Sequence, residues 1–166
     1  MTALRRTRRS LGGGGWSLKL TILSAFALAA AACSAKASGP PDIVVDRTAC
    51  SHCTMLVSEV AYAAAYEAPG AGPRIFDDIG CMLEAMRRDG LHTDASGLRV
   101  WFHDAEDGKW IEDGSPVFVV SSEIRTPMGG GIVAYRDGAR AGQVAAKHQG
   151  RVIRTVPDLM TMKGEQ

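Results

Sequence analysis

With 166 residues, 46% of them hydrophobic and 22% charged, the chain holds one ordinary domain or two very small ones and is too apolar for a disordered polymer. Its net charge of +1 conceals an asymmetry: five basic residues (Arg5, Arg6, Arg8, Arg9, Lys19) and no acid precede Cys33, leaving 14 basic against 18 acidic residues for the rest. A mildly acidic body excludes nucleic-acid binding as its function.

The first segment reads as an export address. An Arg- and Gly-rich start leads into the apolar run Leu20–Ala32, which is shorter than the roughly 20 residues of a membrane span but suits the apolar region of an export signal. Ala30-Ala31-Ala32 before Cys33 resembles a bacterial lipoprotein signal, in which the cysteine becomes the acylated first residue. Such signals favour Leu where this one has Ala30, and the alternatives for Cys33 are removal with the signal or a free thiol. Thr7-Arg8-Arg9-Ser10-Leu11 also resembles a twin-arginine signal. Residues 1–33 are therefore assigned to export and lipidation, and residues 34–47, opening on Ser-Ala-Lys-Ala-Ser-Gly-Pro-Pro, to a tether. In an oxidising compartment the remaining cysteines, Cys50, Cys53 and Cys81, are an odd number. One thiol is left over under any pairing.

The body divides into two similar passages. Ala61–Glu67 has strand character, Ala68–Pro73 is a turn-rich break, and Arg74–Asp77 is a second short strand. Asp78 is a good helix N-cap, and Ile79, Met82, Leu83 and Met86 follow at i, i+3, i+4 and i+7 until Asp89-Gly90 ends the pattern. Leu98–His103 alternates as a strand. Ser115–Ile124 then contains the β-rich run Val117–Val120, Arg125–Gly130 is a loop, and Gly131–Arg136 is a strand. Asp137 caps a helix with the stripe Ala141, Val144, Ala145 and His148, Gly150 closes it, and Arg151–Val156 is a last strand. Arg74-Ile-Phe-Asp-Asp78 before one helix echoes Val133-Ala-Tyr-Arg-Asp137 before the other. The expected architecture is α+β, two homologous small ββαβ units over residues 48–105 and 106–157 with a tail at 158–166. Each unit is near the lower size limit for a core of its own, so the two are expected to pack together.

The strongest chemical signal is Cys50-Ser-His52-Cys53-Thr-Met55, where two thiols, a thioether and an imidazole fall within six residues. Soft sulfur donors select Cu(I), whereas structural zinc wants four nitrogen or sulfur ligands, usually as two spaced pairs, and there is no second pair. The alternative is a Cys50–Cys53 disulfide, structural or redox-active. Cys81 stands in the first helical turn, where backbone N–H groups favour a thiolate while Asp77 and Asp78 oppose one; its plain alternative is a small buried apolar residue. Met82 is retained as a candidate because it adjoins Cys81. Met128, in Thr126-Pro-Met-Gly-Gly-Gly131, sits in a turn with little core to fill, and its thioether is either a metal donor or an ordinary loop side chain. His148 suits a capping role, and Met160 with Met162 offers a second sulfur pair. No Ser–His–Asp set, carboxylate pair or phosphate loop indicates catalysis of hydrolysis or phosphoryl transfer.

In combination, Cys50-x-x-Cys53-x-Met55, Phe76-Asp-Asp-x-x-Cys81-Met82, Thr126-Pro-Met-Gly129 and His148-x-Gly150 behind a lipoprotein-like start resemble the NosL family. Those proteins are accessory lipoproteins of nitrous oxide reductase maturation, and the likeness covers about residues 48–156. The resemblance implies a non-enzymatic Cu(I) chaperone, anchored by lipid in the periplasm of a Gram-negative bacterium. Its partner would be the reductase, whose copper–sulfur centre it supplies, or a membrane maturation complex. Two ββαβ units are implied as well. Met128 transfers most cleanly as a ligand, Cys50, Cys53 and Met55 as a motif, and Cys81 less firmly, with Cys81 or His52 completing or guarding the site. The chain departs from the family pattern at Thr54, where relatives often have Gly. The rival functions are an exported thiol–disulfide oxidoreductase using Cys50 and Cys53, and an anchored interaction protein whose sulfurs are only structural.

Overall fold

The computed structural model describes residues 39–93, 95–111 and 115–162, so the export segment and Cys33 lie outside the described residues. Strand β1 (Ala64–Glu67) is the centre of a three-stranded antiparallel sheet, flanked by β2 (Arg74–Phe76) and β3 (Arg99–Phe102). Ala64 lies opposite Phe76 on one side and Phe102 on the other. Because side chains alternate along a strand, Ala64 and Tyr66 share a face, and both are buried in one core cluster with Phe76, Phe102 and helix α1 (Ile79–Arg88). Asp78 begins α1, its Oδ1 accepting the Gly80 N–H at 2.6 Å. The stripe Ile79, Met82, Leu83 and Met86 is fully buried, as its helical spacing predicts. Gly90 stops the helix at φ +64, where the Leu91 N–H closes on the Met86 carbonyl at 2.9 Å.

The second half repeats this plan. Strand β4 (Val117–Val120) is central, with β5 (Ile132–Tyr135) and β6 (Arg151–Ile153) at its sides and helix α2 (Gly138–Lys147) between them in sequence. Val117 pairs with Tyr135 as Ala64 pairs with Phe76, which sets Arg136 and Asp137 in the places of Asp77 and Asp78. The Asp137 carboxylate accepts the Ala139 N–H at 2.8 Å. The residue that turns left-handed at the end of α2 is Gln149, at φ 48, and not Gly150. Gly150 follows for lack of room, since a Cβ there would stand 3.0 Å from Val119 Cγ1.

Packing the two halves together explains why neither needs a large core. One face of the second sheet (Val117, Val119, Val133, Tyr135) meets Ala141 and Ala145 of α2. The other face (Phe118, Ile132, Ala134) joins the core of the first half. There Phe118 packs edge-on against Phe102 with ring centroids 4.9 Å apart. Burying a side chain of that size stabilises by about 1.5–3 kcal/mol, a large share for units this small. The connection between halves is also stitched by polar contacts. The buried Asp104 carboxylate accepts the Arg136 N–H at 2.9 Å, and Ala105 N–H donates to the Ala134 carbonyl at 2.8 Å.

Two elements differ from the sequence expectation. Strand character begins at Ala64 because Val60–Tyr62 forms a 3₁₀ turn. The last strand stops at Ile153, and a third helix, α3 (Val156–Met162), replaces the expected end of the strand and start of the tail. Thr155 and Asp158 form a reciprocal cap for α3: Asp158 N–H donates to Thr155 Oγ1 at 3.2 Å, and that hydroxyl donates to the Asp158 carboxylate at 2.6 Å. Pro157 is tolerated because the first helical turn has no N–H partner to lose. Leu159 then drops into the core, 1% exposed, and the Met160 carbonyl accepts from Arg87 at 3.2 Å. No helix among the described residues is long and apolar enough to cross a membrane.

Candidate metal centre

The Cys50–Met55 segment is a tight turn on the edge of the first sheet. Cys50 N–H donates to the Met55 carbonyl at 2.8 Å, and Thr54 N–H to the Cys50 carbonyl at 3.0 Å, with Thr54 forced to φ 67. Ser51 N–H bonds the Ile75 carbonyl at 2.8 Å, and the Arg74 guanidinium bonds the Ser51 carbonyl at 3.1 Å, so the turn is pinned to β2. Arg74 is itself held by Asp89 and by Tyr66 Oη. Strand β2 then runs straight into Asp77, Asp78 and the first turn of α1, which brings Cys81 to the same place.

There the sulfurs of Cys50, Cys53 and Cys81 and a carboxylate oxygen of Asp77 all lie within 4.8 Å of one another. The three thiols are free. Cys50, Asp77 and Cys81 are buried, at 2, 2 and 5% exposure, while Cys53 is half-buried with its thiol 3.6 Å from Asp77 Oδ1. Four donors facing one point, only one of them open to solvent, form a cup able to hold a metal ion.

The electrostatics of the cup bear the mark of crowded anions. The Cys81 thiol hydrogen-bonds Cys50 and, against the cost of burial, pulls the Cys50 thiol well below its ordinary range. The same bond, with burial and the neighbouring negative charge, pushes Cys81 up. Of the two influences weighed at Cys81, the neighbouring negative charge and burial outweigh the helix N-terminus. Burial, reinforced by Cys50, raises Asp77 to about 6, and burial raises Cys53. A cation entering the cup would take the place of these shared protons. Sulfur-rich donor sets of this kind suit Cu(I) and also tetrahedral Zn(II).

Met128 arrives from the second half. Asp78 is fully buried, and its Oδ2 accepts both the Thr126 hydroxyl at 2.5 Å and the Met128 N–H at 3.1 Å. The glycines that follow are needed for this seat. Gly129 and Gly131 have φ of +69 and +62, and a Cβ on Gly130 would come within 2.7 Å of Asp78 Oδ1. The turn thus docks on Asp78 and Gly80 at the N-terminal end of α1, the helix whose first turn carries Cys81. The side chains of Met128 and Met55 remain 42 and 57% exposed.

The other expected donors are placed elsewhere. Met82 is fully buried on the core stripe. His52 is outside the cysteine–aspartate group, and its Nδ1 lies 3.5 Å from Arg88. His148 is the C-cap of α2, Met160 packs against the core and Met162 ends α3. Asp77 is the member that sequence reading missed as a donor. Its signal was the acidic pair at a strand–helix junction: the capping role of Asp78 leaves its neighbour for another task.

No curated protein matches the chain. The family model described as NosL matches residues 42–159, more than half of the chain and a span that holds the whole cup and the Met128 turn. The chain belongs to the NosL family.

Proposed function

We propose that the chain is an exported, lipid-anchored carrier of Cu(I), without catalytic activity of its own, that supplies copper for the copper–sulfur centre of nitrous oxide reductase. Delivery would be to that enzyme or to its membrane maturation complex, outside the cytoplasm. The observation that carries this reading is the convergence of Cys50, Cys53, Cys81 and Asp77 on one point with a single half-exposed member. A carrier needs soft donors that hold a monovalent ion and an open side through which a partner displaces them one at a time. Cys53 supplies that open side, and Met55 and Met128 supply exposed thioethers nearby in the chain and at the end of α1.

The competing thiol oxidoreductase would want the first cysteine of the pair at a helix start, whereas this pair lies in a turn pinned to a sheet edge. Anaerobic titration with Cu(I) against a competing chelator tests the reading. One equivalent should bind tightly, and replacing Cys50, Cys53 and Cys81 together by Ser should abolish it. Stoichiometric binding that survives the triple replacement, or preferential retention of zinc over Cu(I), refutes the reading. So does catalysed reduction of insulin disulfides by a cycling Cys50–Cys53 couple.

A further inference from the structure

We propose that Asp78 is the positioning residue that joins the two halves of the metal site, holding the Met128 turn at the thiol cup. The inference rests on the Cu(I) reading above. A helix cap needs one carboxylate oxygen at the surface, and the corresponding Asp137 is such a cap: exposed, accepting from Ala139. Asp78 differs in both respects. Its exposure is 0%, and its second oxygen receives two donors, the Thr126 hydroxyl and the Met128 N–H, 48 and 50 residues away in the chain. A buried carboxylate is costly unless its lone pairs are met, so this geometry is unexplained by capping alone.

The neighbouring residues give the contact its direction. Asp77, one residue earlier, places its carboxylate in the cup, and Cys81 follows in the first turn of the helix that Asp78 caps. Gly130 lets the turn approach the carboxylate closely, since a Cβ there would overlap Oδ1. Thr126 also accepts the Gly131 N–H at 3.2 Å, so the hydroxyl that donates to Asp78 closes the turn on itself. The backbone of residue 128 is therefore fixed relative to the helix that carries Cys81, while its side chain stays 42% exposed. Partners that orient metal donors in this way typically change affinity about 10–100-fold when removed.

Asp78→Asn isolates this role. The amide oxygen can still accept from Gly80, and the Thr126 hydroxyl can turn to accept from the amide. The Met128 N–H, however, then faces another donor. Thr126→Val is the second variant, which loosens the turn without touching the cap, and Asp137→Asn is the control in the other half. The readout is the NMR shift of the isotope-labelled Met128 methyl on Cu(I) loading, alongside affinity against the chelator. The wild type and Asp137→Asn should shift that methyl; Asp78→Asn and Thr126→Val should still bind one Cu(I), about tenfold more weakly, with the shift largely lost. An equal shift in all four proteins overturns the proposal. So does a wild type that binds Cu(I) without moving the Met128 methyl, an outcome that leaves the carrier reading standing. A wild type that binds no Cu(I) refutes the carrier reading itself and this inference with it.

Discussion

A single methyl group tests whether the contact between the halves is tight. In Gly130→Ala the new Cβ would stand 2.7 Å from Asp78 Oδ1 and 3.4 Å from the Gly80 Cα. The carboxylate cannot swing aside cheaply, because Oδ1 is held by the Gly80 N–H at 2.6 Å and Oδ2 by Thr126 and Met128. Either the cap lengthens, at about 0.5–2 kcal/mol, or the turn lifts and gives up bonds to a charged acceptor worth about 1.5–3 kcal/mol each. The cheaper compromise, typical of overpacking by one methyl, is a loss of about 2 kcal/mol. Gly142→Ala is the matched control. Gly142 lies inside α2, and an added methyl there would meet nothing within 4 Å, so the same change should stabilise by about 0.5–1 kcal/mol through helix propensity. Urea unfolding followed by far-ultraviolet circular dichroism, under reducing conditions with chelator, compares the two at unchanged m-value. A Gly130→Ala protein as stable as the wild type, or a destabilised Gly142→Ala, would refute the packing assigned to the turn.

Three further outcomes follow from individual residues. Thr54 occupies φ 67, which costs a β-branched side chain about 1–2 kcal/mol, while glycine loses about 0.5–1 kcal/mol by its greater freedom in the unfolded chain. Thr54→Gly should therefore raise stability by about 0.5–1 kcal/mol in the same urea assay. His103 is buried against Trp110, with Nδ1 3.1 Å from the Ala63 carbonyl, and burial lowers its pKa. The fold keeps it neutral while the unfolded chain protonates it near 6.5, so its contribution is complete above that pH and is lost as pH falls toward the folded value. His103→Gln should flatten that part of the decline in melting temperature between about pH 7 and pH 5. Leu159→Ala, at a site 1% exposed, should cost about 2–4 kcal/mol and release α3, seen as faster amide exchange from Val156 to Met162.

The elements legible in the sequence were those whose signals are local. The stripe of α1 and its Asp78 cap could be read directly, and the echo around Asp137 revealed two similar units. Helix α3 escaped because it is seven residues long and sends one buried side chain, Leu159, into the core. Its Thr155–Asp158 cap was in plain view, but Val156, Leu159 and Met160, which meet the core at i, i+3 and i+4, span little more than one turn, too short a pattern to separate from the end of a strand. The cysteine trio was legible as soft donors, yet adjacency misled at Met82: one residue along a helix is a turn of about 100°, which carries Met82 onto the core stripe. The acidic pair left Asp77 without a capping task, but what task it has instead depends on Cys50 and Cys53 arriving from a separate turn. Which thiol is the more acidic was equally a tertiary matter, decided by the hydrogen bond between Cys81 and Cys50.

The pseudo-repeat accounts for why, among the described residues, the cup forms at one strand–helix junction and not at the other. Matching the strand registers sets Asp77 against Arg136, Asp78 against Asp137 and Cys81 against Arg140. Both halves keep the aspartate that caps the helix, since any helix at that junction needs its first N–H groups met. Around it the chemistry diverges. Arg136 turns to Asp104 at 3.5 Å and Arg140 to Glu106 at 3.1 Å, so the second half spends these positions on ion pairs with the segment that connects the two units. A guanidinium at either position would repel a cation, which removes the second junction as a metal site and leaves it to fasten the halves together. The second half instead contributes from the loop before its helix strand, where Thr126, Met128 and Gly130 close onto Asp78. One junction holds donors and the other holds the frame, and the buried Asp78 carboxylate is the point where frame and donors meet.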